Sequence, residues 1–146
     1  MDRLPDMAGS GPVYLRRPEI ATLVADALLY RDTAGDYVLH AWVIMANHVH
    51  MLITPHIEVS VFMHSLKRFT ARQANKLLGR TGQAFWQSES YDRLVRDRTE
   101  FERIASYIEM NPVRARLVGN PEEFRWSSAW PIANRPQVSN LPHRVA

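Results

Sequence analysis

Apolar positions along this chain follow two different periods, and the switches between them mark out the elements. From Pro18, residues Ile20, Leu23, Val24, Ala27 and Leu28 fall at helical spacing, with proline at the first helical position and a stop near Arg31 ahead of Gly35. The stretch Tyr37 to Thr54, YVLHAWVIMANHVHMLIT, is rich in Val, Ile, Tyr and Trp and breaks once at Ala46-Asn47, which predicts a tight hairpin. A second amphipathic helix is predicted with Ser60 as N-cap, Phe62, Leu66, Phe69, Gln73 and Leu77 along one stripe, and Gly79 as its stop. Phe85 to Arg96 reads as an irregular lead-in and a strand. Thr99 and Glu102 form a capping box that opens a helix from about Glu100 to Asn111, and Pro112 marks its end. After Gly119 a turn or two of helix is expected, with Trp126 and Trp130 docking on the body.

The two ends lack such patterning. Met1 to Pro18 holds three prolines and two glycines, so neither strand nor helix is supported before Pro18, and residues 1–14 and 132–146 are expected to be poorly ordered. A chain of 146 residues, 46% hydrophobic and 23% charged, has the size of one domain with one core. No apolar run of about 18 residues could span a bilayer and no leader-like segment opens the chain, which predicts a cytoplasmic protein with no membrane partner. Without cysteine, any metal must be held by His, Asp, Glu, Asn or Gln.

Net charge is only +3, but its placement is uneven. No acidic residue lies between Glu58 and Glu89, a span that contains Lys67, Arg68, Arg72, Lys76 and Arg80. Lys67, Arg68 and Arg72 could follow a phosphate backbone, although a solvated helix face is the default reading of such a row. Further on, Tyr91, Arg93 and Arg96 interleave with Phe85 and Trp86 as aromatic and cationic groups do on single-strand nucleic-acid surfaces, with core packing as the other reading of the two large rings. Arg114 and Arg116 add two more cations directly after Pro112.

Candidate chemistry gathers at His48 and His50. Alternation along a strand puts both imidazoles on one face with Cα atoms about 6 to 7 Å apart, close enough to share a divalent ion. The plainer alternative is one histidine at a turn and one hydrogen-bonded, partly buried histidine. Tyr107 and Asn111, four apart, share one edge of the last helix; alone they read as an amphipathic border residue and a helix-terminating residue.

Three segments in order, AWVIMANHVHMLITP, FWQSESYDRLV and YIEMNPVRARLVGNPEEFRWSSA, resemble the HUH single-tyrosine transposases, most closely the branch associated with repetitive extragenic palindromes. The resemblance runs from about Gly11 to Ala129. It implies an α+β fold, ferredoxin-like, in which helices pack on a central antiparallel sheet that carries the histidines. It further implies that His48, His50 and Asn111 bind Mg²⁺ or Mn²⁺ and that Tyr107 is the nucleophile. Tyr107 would join a DNA 5′-phosphate and free a 3′-hydroxyl, on single strands that carry imperfect hairpins. A recognition-only hairpin-binding protein is the competing implication. Monomers and homodimers both occur in such families, so a second copy of the chain is a candidate partner. Two departures stand out. Ala46 replaces the proline of the Met-Pro-Asn-His motif, and the family's first strand, expected beside the histidine strand, is not legible before Gly11.

Overall fold

The structure, a computed structural model, describes residues 1–9, 13–87 and 92–131. Its centre is the hairpin that the sequence predicts: β2 (Tyr37–Ile44) and β3 (His48–Pro55), joined by the short turn at Met45 to Asn47. The other described strands and α-helices are β1 (Arg3–Ala8), α1 (Pro18–Thr33), α2 (Val59–Leu78), β4 (Asp92–Leu94) and α3 (Arg98–Arg114). The sheet is four-stranded and antiparallel throughout, in the order β2-β3-β1-β4. The architecture is α+β, as the resemblance implied.

β1 corrects the sequence reading. Arg3–Ala8 is a strand in the middle of the sheet, with Asp6 opposite His50, Ala8 opposite His48 and Leu4 opposite Arg93. Its sequence, RLPDMA, conceals it: two charges and a proline interrupt the apolar alternation, and Pro5 cannot donate to a ladder. Only Pro5 and Met7 are buried. The strand is secured from its other edge, where the Arg3 guanidinium pairs with the Asp92 carboxylate of β4. The expected open sheet edge beside the histidine strand is therefore occupied. Of the two ends expected to be poorly ordered, residues 132–146 lie outside the described residues.

Alternation along the strands creates two unlike faces. On one, Met7, Val49, Met51, Ile53, Trp42 and Ile44 pack with residues of α1 and α2 such as Ile20, Val24, Leu28, Phe62 and Leu66. On the other, Ala41, Val43 and Leu52 meet Ile104 and Ile108 of α3. A β-bulge keeps β2 in phase with both. Leu39 pairs with Ile53 and Ala41 with Leu52, so His40 is the extra residue, and its ring packs edge-on against Phe101 at 5.0 Å.

Helix ends differ from expectation in instructive ways. α2 begins one residue before Ser60, with Glu58 at the N-cap, while Gly79 ends it in the left-handed region (φ 69°) as expected. At α3 the cap is Asp97 rather than Thr99: Asp97 Oδ1 accepts from the Glu100 amide at 2.8 Å, and Glu100 Oε1 accepts from the Arg96 amide at 3.0 Å. Glu100 is buried, and hydrogen bonds from the Arg96 backbone and guanidinium hold its carboxyl below the ordinary glutamate value. α3 also runs through Pro112 to Arg114. A proline so near the end costs only the bond its missing N–H would have made, and Leu117 N–H closes the terminus on the Pro112 carbonyl at 2.9 Å.

The last described stretch does not form the expected helix beyond a single 3₁₀ turn at Pro121–Glu123. Instead it lies along the free edge of β2. Ile44 N–H donates to the Trp126 carbonyl at 2.8 Å, Ser128 N–H to the Trp42 carbonyl at 3.0 Å, and Ser128 Oγ to Glu109 of α3 at 2.6 Å. Trp126 docks on the core as predicted. Phe85 and Trp86 also belong to the core, where Trp86 Nε1 donates to Thr70 Oγ1 at 2.9 Å.

Candidate active site

The period of two that buries Val49, Met51 and Ile53 against α1 and α2 turns His48, His50 and Leu52 toward α3. The two imidazoles lie with ring centroids 4.7 Å apart and are half-buried. His48 Nδ1 sits 2.9 Å from Asn47 Oδ1, and His50 Nδ1 is 4.0 Å from the Asp6 carboxylate. Asn47 Oδ1 is a hydrogen-bond partner for His48 Nδ1, whereas Asp6 lies beyond hydrogen-bond distance of His50 and acts on it through its charge. Burial lowers the pKa of both rings from the ordinary histidine value; His48 lowers His50 further, while Asp6 opposes the shift in each. Both are thus neutral near pH 7, the form that ligates a metal.

Across from them, α3 presents Ile104, Ile108 and Pro112 as its buried row, and Arg103, Tyr107 and Asn111 as the adjoining row, one turn apart from each other. Tyr107 is 55% exposed. Its ring is covered by Arg114, whose guanidinium lies 4.0 Å from the ring centroid and whose Nη2 donates to the Tyr107 carbonyl at 2.6 Å. Arg114 folds back over the last turn of the helix, where a cation also meets the negative end of the helix dipole. Asn111 is half-buried within the helix and not at its end.

β3 and α3 meet at a cavity of about 270 Å³, whose lining includes His50 and Tyr107 together with Leu4, Arg93, Ile104 and Ile108. This is the main result of folding for the candidate residues: the histidine strand and the tyrosine helix, remote in sequence, share one cavity.

The predicted cations divide into groups. Arg93 lines this cavity, 3.5 Å from Glu100, and Arg114 covers Tyr107. Arg96 is tied to Glu100 through Nη2 at 3.0 Å, which gives it a structural task at the start of α3. Arg68 and Arg72 are exposed on α2, the helix that covers the opposite face of the sheet. Lys67 donates to the Gln87 carbonyl at 3.0 Å, and burial lowers its pKa while Asp6 raises it. Lys67 and Arg68 also line a groove of about 350 Å³ together with His64, Gln83 and Trp86. Arg116 is exposed just beyond α3, at φ 60°. Tyr91 lies outside the described residues.

Two residues escaped the sequence reading. Asp6 went unseen because its strand did. Arg103 precedes Tyr107 by four, and helical spacing alone could have drawn attention to it. Among the described residues no group of three or more His, Cys, Asp and Glu side chains could hold a metal ion, and no helix is long and apolar enough to cross a membrane.

A family model described as IS200-like transposase matches residues 18–111. Among solved structures, the chain is similar to a REP-associated tyrosine transposase bound to a REP hairpin, with a TM-score of 0.70 and 16% identity over 99% of this chain and 92% of that one. It is also similar to a crystal structure described as a transposase from Deinococcus radiodurans, with a TM-score of 0.55 and 23% identity over 75% of this chain and 88% of that one. No curated protein matches.

Proposed function

This chain belongs to the IS200-like transposase family, and from that premise we propose that it nicks and rejoins hairpin-bearing single-stranded DNA through a covalent 5′-phosphotyrosine on Tyr107. The observation that carries this reading is the common cavity of His50 and Tyr107. A phenol on one wall and a neutral imidazole pair beside the other is an arrangement for attack on a phosphodiester.

His48, His50 and the side-chain oxygen of Asn111 are the groups that would hold a divalent cation. The chemistry of the donors supports this: two imidazoles that burial favours in the neutral form, each with one ring nitrogen carrying a lone pair, and an amide oxygen in place of the third imidazole or carboxylate that the described residues lack. A nitrogen-containing set of this kind suits Mn²⁺ better than Mg²⁺, which favours oxygen ligands. When bound, the cation polarises the scissile phosphate and stabilises the departing 3′-oxygen.

The chain's own residues do the rest. Tyr107 Oη forms the new P–O bond as the P–O3′ bond breaks; the phenolic proton is lost to solvent and the 3′-oxygen gains one. Another 3′-hydroxyl can then attack the phosphotyrosine and restore a phosphodiester, so the bond energy is conserved and no nucleotide triphosphate is consumed. Arg114 fixes the orientation of the Tyr107 ring and brings positive charge to the incoming phosphate. Arg93 supplies a second cation beside the cavity, and Arg68 and Arg72, exposed on α2 across the sheet, would meet only phosphates remote from Tyr107. The match to a transposase bound to a REP hairpin supports hairpin DNA as the substrate class and the palindrome-associated branch as the relevant one. β1 is present in the sheet, so no missing strand favours a recognition-only protein.

The test is a denaturing gel after incubation with a labelled hairpin oligonucleotide and Mn²⁺. A shifted, EDTA-sensitive band that disappears in Tyr107→Phe is the expected outcome. Cleaved DNA without an adduct would assign the site to hydrolysis, and binding with neither would assign it to recognition alone.

A further inference from the structure

The cavity between His50 and Tyr107 has a chemistry of its own that neither the nucleophile nor the metal ligands require. Its floor is carbon: Leu4 from β1, and Ile104 and Ile108 from α3. Tyr107 and His50 bring rings to the lining, and Arg93 and Arg103 complete it. Arg93 is paired with the buried Glu100 carboxylate at 3.5 Å, while Arg103 is exposed on α3.

We propose that this cavity is a subsite for one unpaired nucleobase of the DNA strand next to the phosphate that Tyr107 attacks, and this rests on the function proposed above. A volume of about 270 Å³ is below the usual range for drug-sized ligands, which points to a single heterocycle instead of a helix or an extended apolar segment. A nucleobase has apolar faces for the Leu4, Ile104 and Ile108 floor, and its attached phosphates require a cation beside the cavity, where Arg103 is exposed. In a single strand the base is already unpaired, so its insertion meets little opposing cost. The occupant would anchor the strand with the scissile phosphate beside Tyr107, making Leu4, Ile104 and Arg103 determinants of where the strand is cut.

The experiment reads binding without cleavage. The full chain, labelled at Ile and Leu methyls, is titrated in EDTA to tens of millimolar with each of dAMP, dGMP, dCMP and dTMP, and with deoxyribose 5-phosphate as the control lacking a base. At least one mononucleotide is expected to shift the Leu4, Ile104 and Ile108 methyl resonances, with no such shift from the sugar phosphate. Ile104→Trp, which fills the cavity, should abolish the shift. Arg103→Glu, an exposed substitution that leaves the core intact, should weaken it roughly tenfold. The proposal is overturned if no mononucleotide moves these methyls, if the sugar phosphate moves them equally, or if they respond to protein dilution alone, which would make the cavity a contact between copies of the chain. A covalent adduct without methyl shifts removes the subsite and keeps the nuclease; methyl shifts without an adduct do the reverse.

Discussion

On the side of the sheet covered by α1 and α2, neighbouring strands contribute Met7, Val49, Met51 and Ile53, and the helices answer with Ile20, Val24, Leu28, Phe62 and Leu66, all essentially inaccessible to solvent. One residue along on the same strands, the side chains facing α3 are Leu4, Asp6, His48, His50 and Leu52. Two helices seal the first face. A single helix covers the second and leaves the histidine end open, so the same backbone pairing that builds the core also presents polar groups to a cavity. Stability and chemistry are thus separated by one step of the pleat, and substitutions on the two faces should have opposite signatures.

The largest effect is expected on the sealed face. Phe62 is fully buried and packs edge-on against Tyr37 with centroids 5.0 Å apart. Phe62→Ala should cost about 3–5 kcal/mol in denaturant unfolding, and activity should be lost only in proportion to the unfolded fraction. A smaller cost follows from Thr70→Val, which removes the partner of Trp86 Nε1 in a dry environment; about 1–3 kcal/mol is expected, again without a change in the metal dependence of the folded protein. A selective loss of nicking in either variant, with stability intact, would break the separation of the faces.

The double variant His48→Gln, His50→Gln tests the open face. At pH 8 its stability should stay within about 1 kcal/mol of the parent, while adduct formation with Mn²⁺ is lost. Its pH response should differ as well. Because burial lowers both histidine pKa values in the folded chain, the unfolded chain binds protons first as pH falls through the ordinary value near 6.5. The stability that these neutral rings contribute is complete above that value and is lost as pH drops from there toward their folded-state pKa values. Urea midpoints between pH 8 and 5 should fall for the parent and fall less for the double variant. Equal slopes would mean that the rings are not desolvated.

The sealed face was largely legible in the sequence, since strong periodicity places Val49, Met51 and Ile53 on one side of β3 and therefore His48 and His50 on the other. The neighbour of that strand was not. Pro5, Arg3 and Asp6 erase the pattern of β1, whose place is set by pairing on both edges and not by its own apolar content. Two overlapping capping boxes, Asp97 to Glu100 and Thr99 to Glu102, are written at the start of α3, and only the burial of Glu100 under Arg96 selects the first. Similarly, Trp86 could have been a stacking platform until Thr70 was found at its indole nitrogen. In each case the deciding partner is remote in sequence or hidden in a segment without a period.

Arg114 offers the smallest effect and the sharpest division between structure and chemistry. Its guanidinium both covers the Tyr107 ring and bonds the Tyr107 carbonyl, so it could act as a helix terminus or as a clamp on the nucleophile. As a terminus alone, its loss would appear in unfolding experiments and leave the rate per folded molecule unchanged. As a clamp it should behave otherwise. Arg114→Lys keeps the charge but loses the planar fork, and adduct formation should slow by roughly two- to fivefold, the value of an exposed cation–π contact. Arg114→Gln also removes the charge beside the phosphate and should slow it by roughly tenfold, while unfolding free energy changes by no more than about 0.5 kcal/mol in either variant. The order Arg, Lys, Gln in rate with unchanged stability places Arg114 with the open face; the converse, a stability loss above about 1 kcal/mol with the rate per folded molecule preserved, would return it to the scaffold and leave Tyr107 oriented by α3 alone.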